Sequence, residues 1–350
     1  MVFTAKSTLI LVSTLVTVLC VGARPSANPG FSPLDLLRGI GIRNCGNGRR
    51  SAHASLTFHD AISFSKSNPL SGGADGSIMQ FSDVEAKYVA NEDLADMIEV
   101  QKRFAMNHGV PFADFIQFAG AVGASNCAGG PRLPFFAGRP KSARGPAPDH
   151  LVPGPADSVD KILARMADAG FSPEETVDLL ASHSIAAQHG LDRTMNGAPL
   201  DSTPSAFDTQ FYVETLLKGT VPPKNGTTPV SALSPIPGEF RMQSDFLIAR
   251  DPRTACAWQS LVDKQSVMID RFQKAMAKLS TLGSNRFFLT DCSDVIPQPR
   301  NSLRSPSAYI PSGRSMADIE SFCKSSTFPK LPVHPGPLVP ILPVGPPSFH

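Results

Sequence analysis

Ser172-Pro173-Glu174-Glu175 spells out a helix start in four residues. The serine hydroxyl can accept a hydrogen bond from the third helical amide, and the glutamate there can reach back to the serine amide. Proline suits the first turn, where no amide proton is needed. Apolar residues then recur every three or four positions through "EETVDLLASHSIAAQHG", which stops on a glycine. Similar punctuation recurs along the chain. Asn91 caps "EDLADMIEVQKRFAMNHG", Pro111 opens "PFADFIQFAGAVGASNC", and Asp157-Ser158 leads into "VDKILARMADAG". "DPRTACAWQSLV" and "SVMIDRFQKAMAKLSTLG" add two more helices. Long strand-like alternation and internal repeats are absent. The pattern predicts a mostly α-helical protein.

Loops rich in glycine and proline separate these elements at 128–157, 188–208 and 219–239. A break near residue 150 suggests two lobes with a cleft between them. Residues 25–40 carry little pattern beyond a short "LDLLRGI" helix. The tail from Pro329 has prolines every few residues and is expected to wrap the surface or stay disordered.

With 350 residues the chain is long enough for one large domain or two lobes. A net charge of +2 and 18% charged residues point to neither a nucleic-acid groove nor an acidic tail. Lys6 precedes "LILVSTLVTVLCVGA", which ends in small residues before Arg24 and Pro25. This reads as a secretory signal peptide over residues 1–23, too short for a stable membrane anchor. Removing it takes Cys20 and leaves Cys45, Cys127, Cys256, Cys292 and Cys323 in an oxidising compartment. Five is odd, so two disulfides and one unpaired thiol is the simplest count, with the pairing open. Asn225-Gly226-Thr227 is a candidate glycosylation acceptor in a proline-rich loop.

Three stretches carry chemistry. In "SLTFHDAISFS", Phe58, His59 and Asp60 stand together, and downstream "SGGADGS" offers Asp75 and Ser77 in a glycine-rich loop. Oxygen ligands on alternate residues, with carbonyls freed by glycine, suit calcium. In "LLASHSIAAQ", His183 lies on the apolar face of its helix. After it, "PLDSTPSAFD" again spaces Asp201, Thr203 and Asp208 through a loop, and Ser184 could close that cage. In "MQSDFLIARDPRTACAWQS", Asp245 is either a charge at a helix start or the carboxylate that orients a metal-ligating imidazole. Each histidine taken alone could be a satisfied core residue.

"TFHDAI", "GGADGSI", "LLASHSIAA", "PLDSTP", "FDTQFYVETLLKG", "GEFRMQSD", "ARDPRTACAWQS" and "LTDCSDVIP" together resemble the fungal class II secretory haem peroxidases, in the family's order over about residues 45–330. The resemblance implies an all-α, two-lobed fold with haem b between the lobes and one calcium ion in each. The distal lobe would be residues 45–150 and the proximal lobe 151–330, after a variable segment 24–44 and before a proline-rich tail 331–350. His183 matches the axial ligand of the haem iron, and Asp245 its carboxylate partner. His59 matches the distal base, Asn91 the acceptor of its other ring proton, Glu85 the acid supporting Asn91, and Phe58 the aromatic over the haem. Distal calcium ligands would be Asp60, Gly73, Asp75 and Ser77. Proximal ones would be Ser184, Asp201, Thr203, Ala206 and Asp208. The implied disulfides are Cys45–Cys127 and Cys256–Cys323.

The chain departs from that pattern in places. Where the family has an arginine one turn before the distal histidine, this chain has Ser55, while Arg49 and Arg50 lie further back. By analogy with removing an oxyanion-hole donor, the change is expected to cost roughly 10²–10³ in the peroxide-cleavage step. The segment between Asp60 and Gly73 is short, which bears on the distal calcium. The N-terminal cysteine cluster is missing, so Cys292 is expected to be a free thiol. The carboxylates of a manganese site fall on Gly48, Ala52 and His189, which excludes that site. Asp178 stands where ligninolytic members carry a surface tryptophan, and Trp258 reads as packing. What remains is similar to the generic, low-potential, ink-cap type.

The expected function is therefore a secreted, monomeric peroxidase that uses hydrogen peroxide to oxidise small phenolic donors, without nucleic-acid or membrane partners. The alternative is a haem- and calcium-binding protein of the same fold with weak turnover. A secreted Ser/His/Asp hydrolase is disfavoured, since no G-x-S-x-G nucleophile elbow occurs.

Overall fold

Phe112–Ser125 is apolar on nearly every face, and a helix of that kind has to sit inside the protein. A computed structural model, which describes residues 49–68, 72–299 and 307–345, places it there: every residue from Ala113 to Ser125 is buried. Its one charge, Asp114, is met by Arg139 at 2.8 Å, with both side chains inaccessible, so the buried charge is compensated.

In chain order the described residues form α1 (Arg49–Ala61), the short turns α2 (Ser77–Gln80) and α3 (Ser82–Glu85), α4 (Ala95–His108) and α5 (Phe112–Ser125). Then follow α6 (Val159–Ala169), α7 (Pro173–Leu179), α8 (Gln210–Glu214), α9 (Gln243–Ile248), α10 (Ala255–Ser260) and α11 (Gln265–Leu279). Strand structure among them is limited to two antiparallel pairs. β1 (Phe136–Ala137) pairs with β4 (Thr290–Asp291), and β2 (Ser231–Ala232) with β3 (Arg241–Met242). The helical reading of the sequence holds.

Two packings set up the interior. α1 lies along α5, and a Cβ on Gly120 would meet the Thr57 hydroxyl at 2.1 Å, so only glycine lets the two helices approach this closely. α11 packs on α7 through Met268, Phe272, Ala275, Met276 and Leu279, which share one face at helical spacing. α1 also packs against the turn 180–185. That contact brings Phe58 and His59 toward the segment carrying His183.

The start of α7 forms as the sequence implies. The Ser172 hydroxyl accepts the Glu175 amide at 3.1 Å and the Glu175 carboxylate accepts the Ser172 amide at 2.8 Å. The end differs. α7 stops at Leu179, and a 3₁₀ turn, Leu180–Ile185, carries the chain past His183. The Ser182 and Ser184 hydroxyls donate to the carbonyls of Leu179 and Ala181, a local competition that disfavours continued α-helix. Asn91 also differs. It does not cap a helix but sits inside a 3₁₀ turn, Val89–Leu94, with its side chain engaged elsewhere, and α4 begins at Ala95.

The Cys256–Cys323 disulfide is present. Cys127 and Cys292 are both disulfide-bonded too, and no described cysteine is free. The expected free thiol at Cys292 is thus corrected. Cys45 lies outside the described residues. The C-terminal tail wraps the surface: the His334, Ile341 and Val344 amides donate to the carbonyls of Ile310, Pro237 and Gly197. Gly238, at φ +87°, seats it, since a Cβ there would lie 2.1 Å from the Ile341 carbonyl oxygen. No helix among the described residues is long and apolar enough to cross a membrane.

Candidate active site

α1 delivers Phe58, His59 and Asp60 at its C-terminal end. His59 Nδ1 lies 2.8 Å from Asn91 Oδ1. The Asn91 amide donates from Nδ2 to the Glu85 carbonyl at 2.9 Å, which fixes Oδ1 toward the imidazole. Oδ1 can only accept, so the ring proton sits on Nδ1 and Nε2 keeps its lone pair. Burial pushes the His59 imidazole below its ordinary value, against the Asn91 hydrogen bond and the charge of Asp93. A neutral imidazole with a free Nε2 is a proton acceptor. The Phe58 ring stands edge-on to His59, with ring centres 6.1 Å apart.

Glu85 supports Asn91 differently from the sequence expectation. Its main-chain carbonyl holds the Asn91 amide, while its carboxylate accepts the Ala147 amide at 2.9 Å. Burial pushes that carboxyl up to about 7. Ser55 is half-buried, one turn before His59 on the same helix. Because α1 runs without a break from Arg49, Arg49 and Arg50 begin roughly 14–15 Å further down its axis.

On the other side, His183 Nδ1 donates to Asp245 Oδ2 at 2.9 Å. Asp245 comes from the first turn of α9 and is buried. Burial alone would lower the His183 imidazole, but the Asp245 charge and hydrogen bond outweigh it and hold it above its ordinary value. With Nδ1 committed, Nε2 is the nitrogen left to ligate a metal, in the arrangement where a carboxylate orients a ligating imidazole. These residues fit a haem iron on that side. The Phe211 ring packs edge-on against His183, with centres 5.6 Å apart.

Two oxygen-rich loops flank the histidines. Asp60 Oδ2 accepts the Gly76 amide at 3.2 Å, but Oδ1 is buried without a partner. Asp75 Oδ1 accepts the Ser77 amide, the Gly73 carbonyl accepts the Asp75 amide, and Ser77 is buried beside them. Burial, then the charges of Asp75 and Glu85, push the Asp60 carboxyl well up. In the second loop, Asp201 Oδ1 accepts the Thr203 amide, and Asp208 Oδ1 accepts the Gln210 amide and the Thr203 hydroxyl. Oδ2 of both aspartates is buried without a partner. Burial and the Asp208 charge push Asp201 well up, and burial takes Asp208 to about 6. Pairing of Ala186 with Leu200 sets Ser184, just before it, at the same end as Asp201. Ala206 closes the loop by donating its amide to the Thr203 carbonyl.

Buried carboxylate oxygens with no donor are the exception in native proteins, and a cation surrounded by oxygens supplies what they lack. No group of three or more His, Cys, Asp or Glu is gathered among the described residues. Each loop instead has two carboxylates completed by hydroxyls and carbonyls, a hard-cation donor set. At the positions matching a manganese site, Gly48 and the Ala52 side chain lie outside the described residues, and His189 is tied to Asn196 at 2.8 Å. Asp178 is buried in an ion pair with Arg271 at 2.8 Å, a partnership with no local sequence signal across ninety-odd residues.

The peroxidase family model matches residues 43–264, and the fungal peroxidase extension region matches 267–346. The chain is 52% identical over 293 residues to a peroxidase of Arthromyces ramosus, covering 82% of this chain and 80% of that one. A peroxidase of Coprinopsis cinerea gives the same identity and coverage. The versatile peroxidase VPS1 of Pleurotus eryngii is 51% identical over 298 residues, 83% of this chain and 80% of its own. The chain belongs to the fungal peroxidase family. It is a haem peroxidase with the all-α fold of that family, and hydrogen peroxide and reducing donors are its substrates. The relatives are peroxidases and ligninases by name, and nothing in them points to a non-catalytic member.

Proposed function

We propose that this is a secreted peroxidase of the generic type, in which His59 moves the peroxide proton and His183 holds the haem iron. The observation that carries the reading is the pair of imidazoles, each tied through Nδ1, on two segments that pack against each other. Haem b, when bound, supplies the centre that takes two oxidising equivalents from peroxide. Asn91 keeps the His59 proton on Nδ1, so Nε2 accepts a proton from one peroxide oxygen and returns it to the departing one. Asp245 makes the His183 imidazole more electron-rich, and Phe58 helps exclude water.

Calcium is proposed at both loops, with Asp60, Gly73, Asp75 and Ser77 on the distal side. Ser184, Asp201, Thr203, Ala206 and Asp208 form the proximal set. The undonated carboxylate oxygens support it. Small phenolic donors are proposed because no manganese carboxylate set is legible: His189 is a tied imidazole where a carboxylate would be needed. Asp178, paired with Arg271, replaces an exposed tryptophan. The apolar N-terminal run supports secretion by its sequence alone, and a monomer is the expected state.

The test is protein purified from culture medium. It is expected to show a haem Soret band, peroxide-dependent oxidation of a small phenolic dye and no saturable oxidation of Mn(II). A normal protein without the Soret band overturns the haem assignment. Saturable Mn(II) oxidation overturns the generic reading.

A further inference from the structure

Asn225 stands in the sequon Asn225-Gly226-Thr227 on a turn closed by the Gly226 amide, which donates to the Pro223 carbonyl at 2.9 Å. Asn225, Thr227 and Thr228 are exposed. Beside this turn lies a groove of about 710 Å³, bounded by the start of α6, Lys218, β2 and the first turns of α9. Thr227 and Thr228, two and three residues after Asn225, form part of its wall.

The lining is mixed. Lys218 and Gln243 line the groove with side chains that have no hydrogen-bond or ion-pair partner among the described residues, and Phe246 adds half-buried apolar surface. Spare donors beside an apolar wall match a sugar, whose hydroxyls ring an apolar C–H face. The volume lies in the range of small-ligand sites, roughly 300–1,000 Å³.

We propose that Asn225 carries an N-linked glycan and that the core sugars of this glycan lie in the groove. The inference rests on the secreted reading above, since the modification belongs to that route. The Asn225 amide nitrogen bonds to C1 of an N-acetylglucosamine and gives up a proton. The C1–oxygen bond of a lipid-linked oligosaccharide diphosphate donor breaks, and the lipid diphosphate leaves. No redox change is involved. Tethering raises the local sugar concentration to the millimolar range, so weak contacts at Lys218 and Gln243 are enough to seat it.

The full chain, expressed with its own leader in a fungal secretory host, tests this by intact mass and by treatment with a glycan-releasing amidase. The secreted protein is expected to lose the mass of one glycan, and Asn225→Gln to lack it. Release in heavy-oxygen water marks the modified asparagine in the wild type, so the site is located even if the variant fails to fold. Release from the native protein is expected to be about tenfold slower than from the denatured one, as one or two net hydrogen bonds would give. A Lys218→Ala/Gln243→Ala double variant should keep the glycan and lose that protection. Equal release rates, or protection that survives the double variant, overturn the groove. A secreted chain unmodified at Asn225 overturns the proposal alone. A chain retained in the cell and unmodified overturns the secreted reading with it.

Discussion

On the distal side the Nδ1 proton of His59 meets an amide oxygen, that of Asn91, at 2.8 Å; on the proximal side that of His183 meets a carboxylate oxygen, that of Asp245, at 2.9 Å. The bonds are alike in length and in the ring nitrogen they occupy. Burial acts on both rings in the same direction, against the charged form. Yet His59 ends below its ordinary value and His183 above it. The sign follows the partner: the neutral Asn91 amide favours the imidazolium too weakly to offset burial, while the Asp245 carboxylate adds a charge to its hydrogen bond and outweighs it. One neutral and one electron-rich imidazole is the division of labour that a proton carrier and an iron ligand require.

The largest break in that comparison comes from removing either ring. His59→Leu should keep the haem band and slow the reaction with peroxide by roughly 10²–10⁴, the range for one general base. His183→Ala should instead lose the band or leave haem loosely held. Stopped-flow mixing with peroxide and the absorption spectrum separate the two. A His59→Leu variant as fast as wild type removes the distal assignment.

Next in size is the missing charge on the distal side. Ser55 offers only a short neutral hydroxyl where a positive charge would stabilise a departing oxygen, and α1 runs unbroken from Arg49, which places both early arginines at its N-terminal end. Ser55→Arg is expected to raise the second-order rate constant with peroxide by roughly 10²–10³. A wild type that already reacts as fast as the variant would show that another group fills the role.

The two oxygen-rich loops proposed to hold calcium give a smaller effect. Three aspartate oxygens, on Asp60, Asp201 and Asp208, wait for a donor that the described residues do not supply. A chelator should therefore lower the midpoint of thermal unfolding by about 5–10 °C, as losing a ligand near a hundred times its Kd would. Asp208→Asn should lower it further than Asp75→Asn. Around Asp201 the charges of Asp208, Glu214 and Glu239 accumulate, whereas Asp75 stands in a more open loop. Equal losses would show that the two loops matter alike.

How far these features were legible depended on the range of the interaction. The α7 start is local, four residues carry it, and it formed as written. Its end misled, because Ser182 and Ser184 read as tolerable helix residues until their hydroxyls are seen bonding back. Asn91 misled for a related reason: the same amide suits a helix cap or a distant imidazole, and only tertiary structure chooses. The His183–Asp245 pair spans 62 residues and came from resemblance alone. Glu85 was placed correctly but credited with the wrong atom, since sequence does not say whether a side chain or a carbonyl makes the contact. The free thiol expected at Cys292 rests on the missing N-terminal cysteine cluster, and the absence of a familiar partner does not exclude another.

The finest test exchanges the partner and leaves the ring. In the proposed role, His59 must be neutral to accept the peroxide proton. Burial sets its folded pKa below 6.5, so the wild-type rate should be full at neutral pH and fall only as pH drops through that lowered value. The same shift works against the fold. Below pH 6.5 the unfolded chain binds a proton that the folded one resists, and this erodes stability until pH passes the folded value. Asn91→Asp puts a carboxylate where the amide was and copies the proximal arrangement. It should move the acid limb of the pH–rate profile to higher pH, ease the acid loss of stability, and leave the rate on the alkaline plateau nearly unchanged. Rate profiles from pH 4 to 9 on both proteins measure this. An acid limb that stays in place would mean that burial, rather than the partner, sets the proton affinity of the distal ring.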